Sequence, residues 1–65
     1  MVLINGEPHP EAVGLTLAAF VAQVGLQPTR IAVEYNGAIL SRDTYAHTVL
    51  QDGDSVEIVN FVGGG

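Results

Sequence analysis

The segment "TLAAFVAQVG", Thr16 to Gly25, is where this chain shows sustained helical periodicity. Leu17, Phe20, Val21 and Val24 recur at i, i+3, i+4 and i+7, so one stripe of a helix faces a core. Thr16 stands where a hydroxyl can accept from free helix N–H groups, and Gly25 where a left-handed residue ends a helix. Burying those four apolar side chains stabilises by roughly 6 to 12 kcal/mol before entropy is subtracted. In a chain of 65 residues such a helix is the main clamp on the fold.

An Asn-Gly pair flanks the helix on either side. Upstream, Val2, Leu3 and Ile4 lead into Asn5-Gly6, the dipeptide that most readily takes the positive φ angles of a tight hairpin turn. The second strand is short and irregular, because Pro8 and Pro10 donate no ladder hydrogen bonds, which assigns it to an edge. Downstream, "IAVEYNGAIL" from Ile31 to Leu40 repeats the design around Asn36-Gly37. Ser41 to Leu50, "SRDTYAHTVL", has no sustained period and reads as a loop with one helical turn. Asp52-Gly53-Asp54 makes a turn, and "SVEIVNF", Ser55 to Phe61, is the last strand.

Strand, strand, helix, strand, strand, strand predicts the α+β class and a β-grasp arrangement. The sheet is mixed, with four to five strands, its first and last strands side by side and the helix packed on one face. The other face is left to solvent or to a partner. Residues 1–61 form the domain and residues 62–65 a flexible tail.

A chain this short hides only about 60% of the surface its unfolded form exposes, so an enclosed catalytic pocket would compete with the core for side chains. That weighs against a self-contained enzyme. Arg30 and Arg42 stand against seven acidic residues for a formal net charge of −5, which argues against nucleic acid and for basic protein partners. With no cysteine, disulfides and thiolate metal sites are excluded. "MVLINGEPHP" lacks the features of a signal peptide, and the apolar run Leu15 to Leu26 is shorter than the roughly 20 residues that span a bilayer. A cytoplasmic chain without membrane contact is expected.

Few side chains suggest chemistry. His9, between two prolines, and His47 read as solvated loop residues with no companion at metal-ligand spacing. Ser41 and Thr44 have no base positioned by sequence to activate them. Asp52 and Asp54 resemble a fragment of a calcium loop without its later ligands, and a turn is the better reading.

The final strand says more. On alternation Val56 and Ile58 point one way and Glu57, Val59 and Phe61 the other. If Val56 and Ile58 face the helix, then Phe61, Val59 and Glu57 form a docking patch on the open face; a strongly twisted sheet would instead bury Phe61. The terminal glycines bury nothing and are costly to order. Their functional reading is that four residues, Val62, Gly63, Gly64 and Gly65, extend about 13 Å into a narrow channel of a partner. The carboxylate of Gly65 is then the working group.

The β-grasp order, "YNGAIL" followed by "SRDTY", and "LQDGDSVEIVNFVGGG" at the end resemble the ThiS family, ubiquitin-like sulfur carriers of thiamine biosynthesis. The resemblance implies a carrier rather than a catalyst, with no tightly bound cofactor. It implies that an E1-like adenylyltransferase of the ThiF type uses ATP and magnesium to transfer AMP to the carboxylate of Gly65. Sulfur from a cysteine desulfurase or related donor then replaces the adenylate. The resulting thiocarboxylate gives its sulfur to thiazole synthase of the ThiG type. Two other carriers share the pattern, the small subunit of molybdopterin synthase and carriers that thiolate tRNA. A reading of another class is a β-grasp interaction module with an inert tail.

Overall fold

A computed structural model of the chain describes residues 1–61. The expected boundary between domain and tail, with Val62, Gly63, Gly64 and Gly65, lies outside the described residues. Strand β1 (Leu3–Ile4) turns through Asn5 at φ 51° and Gly6 at φ 80° into antiparallel β2 (Glu7–Pro8). Both turn residues take the left-handed conformation that matches strand twist in a two-residue hairpin. Strand β2 forms a sheet edge, where the proline costs no ladder bond. A 3-10 turn over Pro10–Ala12 follows and buries Ala12.

Helix α1 (Leu17–Gln23) starts as its sequence dictates: Thr16 Oγ1 accepts from the Ala19 N–H at 3.1 Å. Its end differs from expectation. Leu17, Phe20 and Val21 are buried, but Val24 is 49% exposed. The Leu26 N–H donates to the Val21 carbonyl and the Gly25 N–H, at φ 82°, to that of Ala22. The Val24 N–H still donates to the Phe20 carbonyl at 3.1 Å, so Val24 continues the stripe, but it is the C-cap residue of a seven-residue helix and stands past the enclosed core.

Beyond the helix, a 3-10 turn at Pro28–Arg30 leads into β3 (Ile31–Tyr35), which turns through Asn36-Gly37 into antiparallel β4 (Ala38–Ile39). The segment read as a loop with one helical turn is a six-residue 3-10 helix, Arg42–His47, packed against α1. It buries Tyr45, and Leu50 just after it is fully enclosed. Strand β5 (Ser55–Asn60) then fills the centre of a five-stranded sheet of order β2-β1-β5-β3-β4, parallel to β1 and antiparallel to β3. First and last strands are neighbours, as the β-grasp order requires. Ile4, Val33, Val56 and Ile58 meet Leu17, Phe20 and Val21 in one core.

Both turn asparagines do more than tolerate positive φ. Asn5 accepts from the Ile58 N–H through Oδ1 at 2.7 Å and donates to the Ile58 carbonyl through Nδ2 at 3.2 Å. Its side-chain amide thus stands in for the strand residue that β1, ended by the turn, does not supply. Asn36 Oδ1 accepts from the Ser55 N–H at 2.8 Å, and its own N–H donates to the Ser55 carbonyl. The central strand is therefore pinned from both hairpins. Among the described residues no helix is long and apolar enough to cross a membrane.

Candidate docking face and tail root

The candidate site grows from the two faces of β5. Val56 and Ile58 lie against α1, and the alternating residues point away from it. Of the two readings open for Phe61, the structure selects exposure: Phe61 is 49% and Val59 57% accessible, and Glu57 is exposed. The Phe61 N–H still donates to the carbonyl of Arg30, the residue before β3, at 2.7 Å. Backbone pairing therefore continues one residue past β5 to the last described residue and keeps the alternation that puts its ring on the outer face. The described residues thus end at the centre of the sheet.

Strand register adds residues that the last strand alone does not reveal. Directly paired residues share a face, so Ala32 stands beside Val59, Glu34 beside Glu57, and Ile39 beside Glu34. Ile39 is 78% exposed. Leu3, paired with Ser55, faces the same way. The signal for Ala32 and Glu34 was the alternation in "IAVEY"; which residues they would face was set by register. Glu34 and Glu57, like charges directly opposite each other, cost up to about 1 kcal/mol. Among the described residues neither has an ion-pair partner. Such a face, apolar with two unneutralised carboxylates, complements an apolar surface edged with lysine or arginine.

A polar cluster ties down the opposite end of β5. The Asp54 carboxylate accepts from the Tyr35 hydroxyl at 2.5 Å, the Gln51 N–H at 2.9 Å and Asn36 Nδ2 at 3.2 Å. Burial opposes its charge, yet those hydrogen bonds outweigh burial and hold its pKa below the ordinary value. The same bond to Asp54, aided by burial and by the negative charge, raises the pKa of Tyr35. The Met1 ammonium pairs with Asp52 nearby. This cluster reads as a structural fastening for the turn.

His9 corrects its sequence reading as a solvated loop residue. Its ring stands edge-on to Phe20 with centroids 5.6 Å apart, and its Nδ1 is 2.7 Å from Glu11 Oε2. That hydrogen bond is the leading cause of a lowered Glu11 pKa. His47 is exposed. Thr44 Oγ1 donates to the Ser41 carbonyl at 2.7 Å, which spends the hydroxyl on the 3-10 turn. Among the described residues no three histidine or carboxylate side chains gather to hold a metal ion.

The family model for the ThiS family matches residues 2–65, nearly the whole chain and its glycine end included. The chain belongs to the ThiS family. The crystal structure of the thiamine biosynthesis protein ThiS from Geobacter metallireducens superposes with a TM-score of 0.76 at 31% identity, covering 98% of this chain and 97% of that one. The β-grasp fold is therefore that of ThiS. Two curated relatives are called thiazole synthase. The one from Magnetococcus marinus is 47% identical over 62 residues, 95% of this chain and 19% of its own length. The one from Paramagnetospirillum magneticum is 38% identical over 64 residues, 98% of this chain and 20% of its own length. This ThiS chain thus spans about a fifth of the length of those relatives.

Proposed function

We propose that this chain is a sulfur carrier, with the carboxylate of Gly65 as the group that is activated and loaded. A carboxylate oxygen is a poor leaving group, so sulfur cannot enter directly. An E1-like adenylyltransferase supplies ATP and magnesium: the Gly65 carboxylate attacks the α-phosphorus, pyrophosphate departs, and an acyl adenylate forms. The terminal sulfur of a persulfide, supplied by a cysteine desulfurase or related donor, attacks the acyl carbon and expels AMP. A second thiol of the partner then cleaves the acyl disulfide, which leaves the thiocarboxylate on Gly65 and a disulfide on the partner. Thiazole synthase then takes the sulfur. ATP consumption suits cytoplasmic chemistry.

The observation that carries this reading is family membership across residues 2–65, which brings the Gly64-Gly65 end into the match. The relatives called thiazole synthase support the acceptor, because a domain like this one occupies about a fifth of their length and so travels with that activity on one polypeptide. The open face of Val59, Phe61, Glu57 and Glu34 is where the activating enzyme docks, beside the tail root. Gly63, Gly64 and Val62 thread toward the nucleotide, and bare backbone lets a narrow channel close around them. The protein contributes the acyl group and the docking surface; the bond-making groups belong to its partners.

Intact-mass measurement tests the reading. Incubation with the E1-like enzyme, ATP, magnesium and a sulfur donor should give the mass gain of oxygen-to-sulfur exchange, abolished by deleting Gly65. No gain would leave an interaction module with an inert tail. A loaded carrier that gives no thiazole product with purified thiazole synthase would keep the carrier and discard that acceptor.

A further inference from the structure

A second surface lies on the helix side of the sheet, where the first hairpin turns away from β5. There a groove of about 280 Å³ has a floor of Ile4, Phe20 and Ile58, with Val24 and Leu26 along the helix end. Glu7, His9 and Asn60 form its polar rim. The exposed Val24, at the C-cap of α1, is one of its walls.

Backbone geometry shows what the groove is shaped to take. Phe61 N–H to Arg30 and Asn36 N–H to Ser55 place the odd-numbered residues of β5 in hydrogen bonds with β3. By alternation the N–H and C=O of Val56, Ile58 and Asn60 point the other way. Val56 is met by the Asn5 N–H and Ile58 by the Asn5 side chain. Strand β1 ends at Ile4, so among the described residues Asn60 presents an open edge beside the groove. Glu7 supplies a carboxylate at the rim, in a chain of net charge −5.

We propose that this groove receives an extended segment of the enzyme that takes the tail. The segment pairs its backbone with Asn60, seats one aliphatic side chain over Ile4, Phe20 and Ile58, and directs a lysine or arginine to Glu7. This rests on the carrier reading, because an enzyme that encloses the tail must pass alongside its root at Phe61. Charge selects the occupant: the chain's own terminal carboxylate would meet Glu7 with like sign, whereas a basic segment is attracted. Free strand edge, apolar pocket and flanking charge are the elements of strand-addition recognition.

The test uses the full-length, nitrogen-15-labelled chain and two probe peptides, Ac-Arg-Val-Leu-Val-NH2 and Ac-Glu-Val-Leu-Val-NH2. The arginine peptide should shift the amides of Glu7, His9, Val24 and Asn60 and slow exchange at the Asn60 N–H. The glutamate peptide should bind about fivefold more weakly, and Glu7→Lys should invert the preference. In adenylation assays Val24→Asp should raise the KM for the carrier about tenfold with kcat unchanged, since an apolar contact is lost on docking. Glu7 and Val24 are exposed, and unchanged melting of both variants checks that they fold. Shifts confined to Leu3, Glu34 and Val59, no shift with either peptide, or an unchanged KM for both variants overturns the proposal. So does finding that deletion of residues 62–65 moves the same four amides, which would make the tail itself the occupant. A wild-type chain that never gains AMP or sulfur would remove the carrier reading, while the enzyme-free peptide titration still decides whether the groove binds.

Discussion

At the residue scale the asparagines of the two turns carry more than their dipeptide signature suggests. Asn5 sits at φ 51° and makes two hydrogen bonds to one residue of β5. Asn5→Gly keeps the backbone conformation and loses both bonds, and should lower stability in urea unfolding by about 1 to 3 kcal/mol. Asn5→Ala adds the strain of a left-handed alanine, about 1 kcal/mol more. Equal losses in the two variants would show that the side chain, not the φ angle, is the whole effect. The Tyr35–Asp54 pair sets both pH limits of this end of the fold. Asp54 has a lowered pKa, so its contribution is present above the ordinary value of 3.8 and fades as pH falls below it. Tyr35 has a raised pKa, so its contribution is present below 10.0 and fades as pH climbs above it. Tyr35→Phe should therefore flatten the alkaline decline in melting temperature and make the acid decline shallower; an unaltered alkaline limb would remove Tyr35 from that role.

At the scale of elements, β5 holds the fold with one face and leaves the other exposed. Its inward Val56 is fully buried while Phe61, one residue past the strand, keeps half its surface in solvent. Phe61→Ala should accordingly weaken binding to the activating enzyme at least tenfold in a titration, as loss of an aromatic anchor does. The same change should lower the melting temperature by only a few degrees. The reverse ranking would return Phe61 to the core. The last turn of α1 and the segment after β4 show where periodic reading reached its limit. A period-3 helix of six residues gives no 3.6-residue stripe, so Tyr45 and Leu50 carried no pattern that marked them as core. Val24 had the pattern, but as the C-cap of a seven-residue helix it stands past the enclosed core and keeps about half its surface in solvent.

At the scale of the whole molecule, a small acidic domain presents one open sheet face and, at the end of its central strand, the root of a glycine tail. If Gly65 is the loaded group, appending residues after it should abolish adenylation while leaving the melting temperature unchanged, because the activated carboxylate would overshoot the nucleotide. Undiminished mass gain in a C-terminally extended protein would contradict this. The net charge of −5 adds a kinetic expectation: association with a basic partner should slow as salt is raised from 50 to 500 mM, about the range over which screening shortens from beyond 10 Å to a few ångströms.

Local chemistry was enough to specify much of this protein. Two Asn-Gly turns, a threonine-capped amphipathic helix and an alternating last strand are each decided within about ten residues, by φ preference, capping and side-chain period. Their order in the chain sufficed for the β-grasp, and that order together with "YNGAIL", "SRDTY" and "LQDGDSVEIVNFVGGG" for the resemblance to the family. Register and closure are of another kind, because they depend on which strands meet. Pairing β5 with β3 sets Glu57 opposite Glu34, and ending β1 at Asn5 opens the edge at Asn60. The pairings that set the faces and edges of this sheet reach as far as Leu3 to Ser55, a separation across which no local preference acts, so only the packed sheet could choose them.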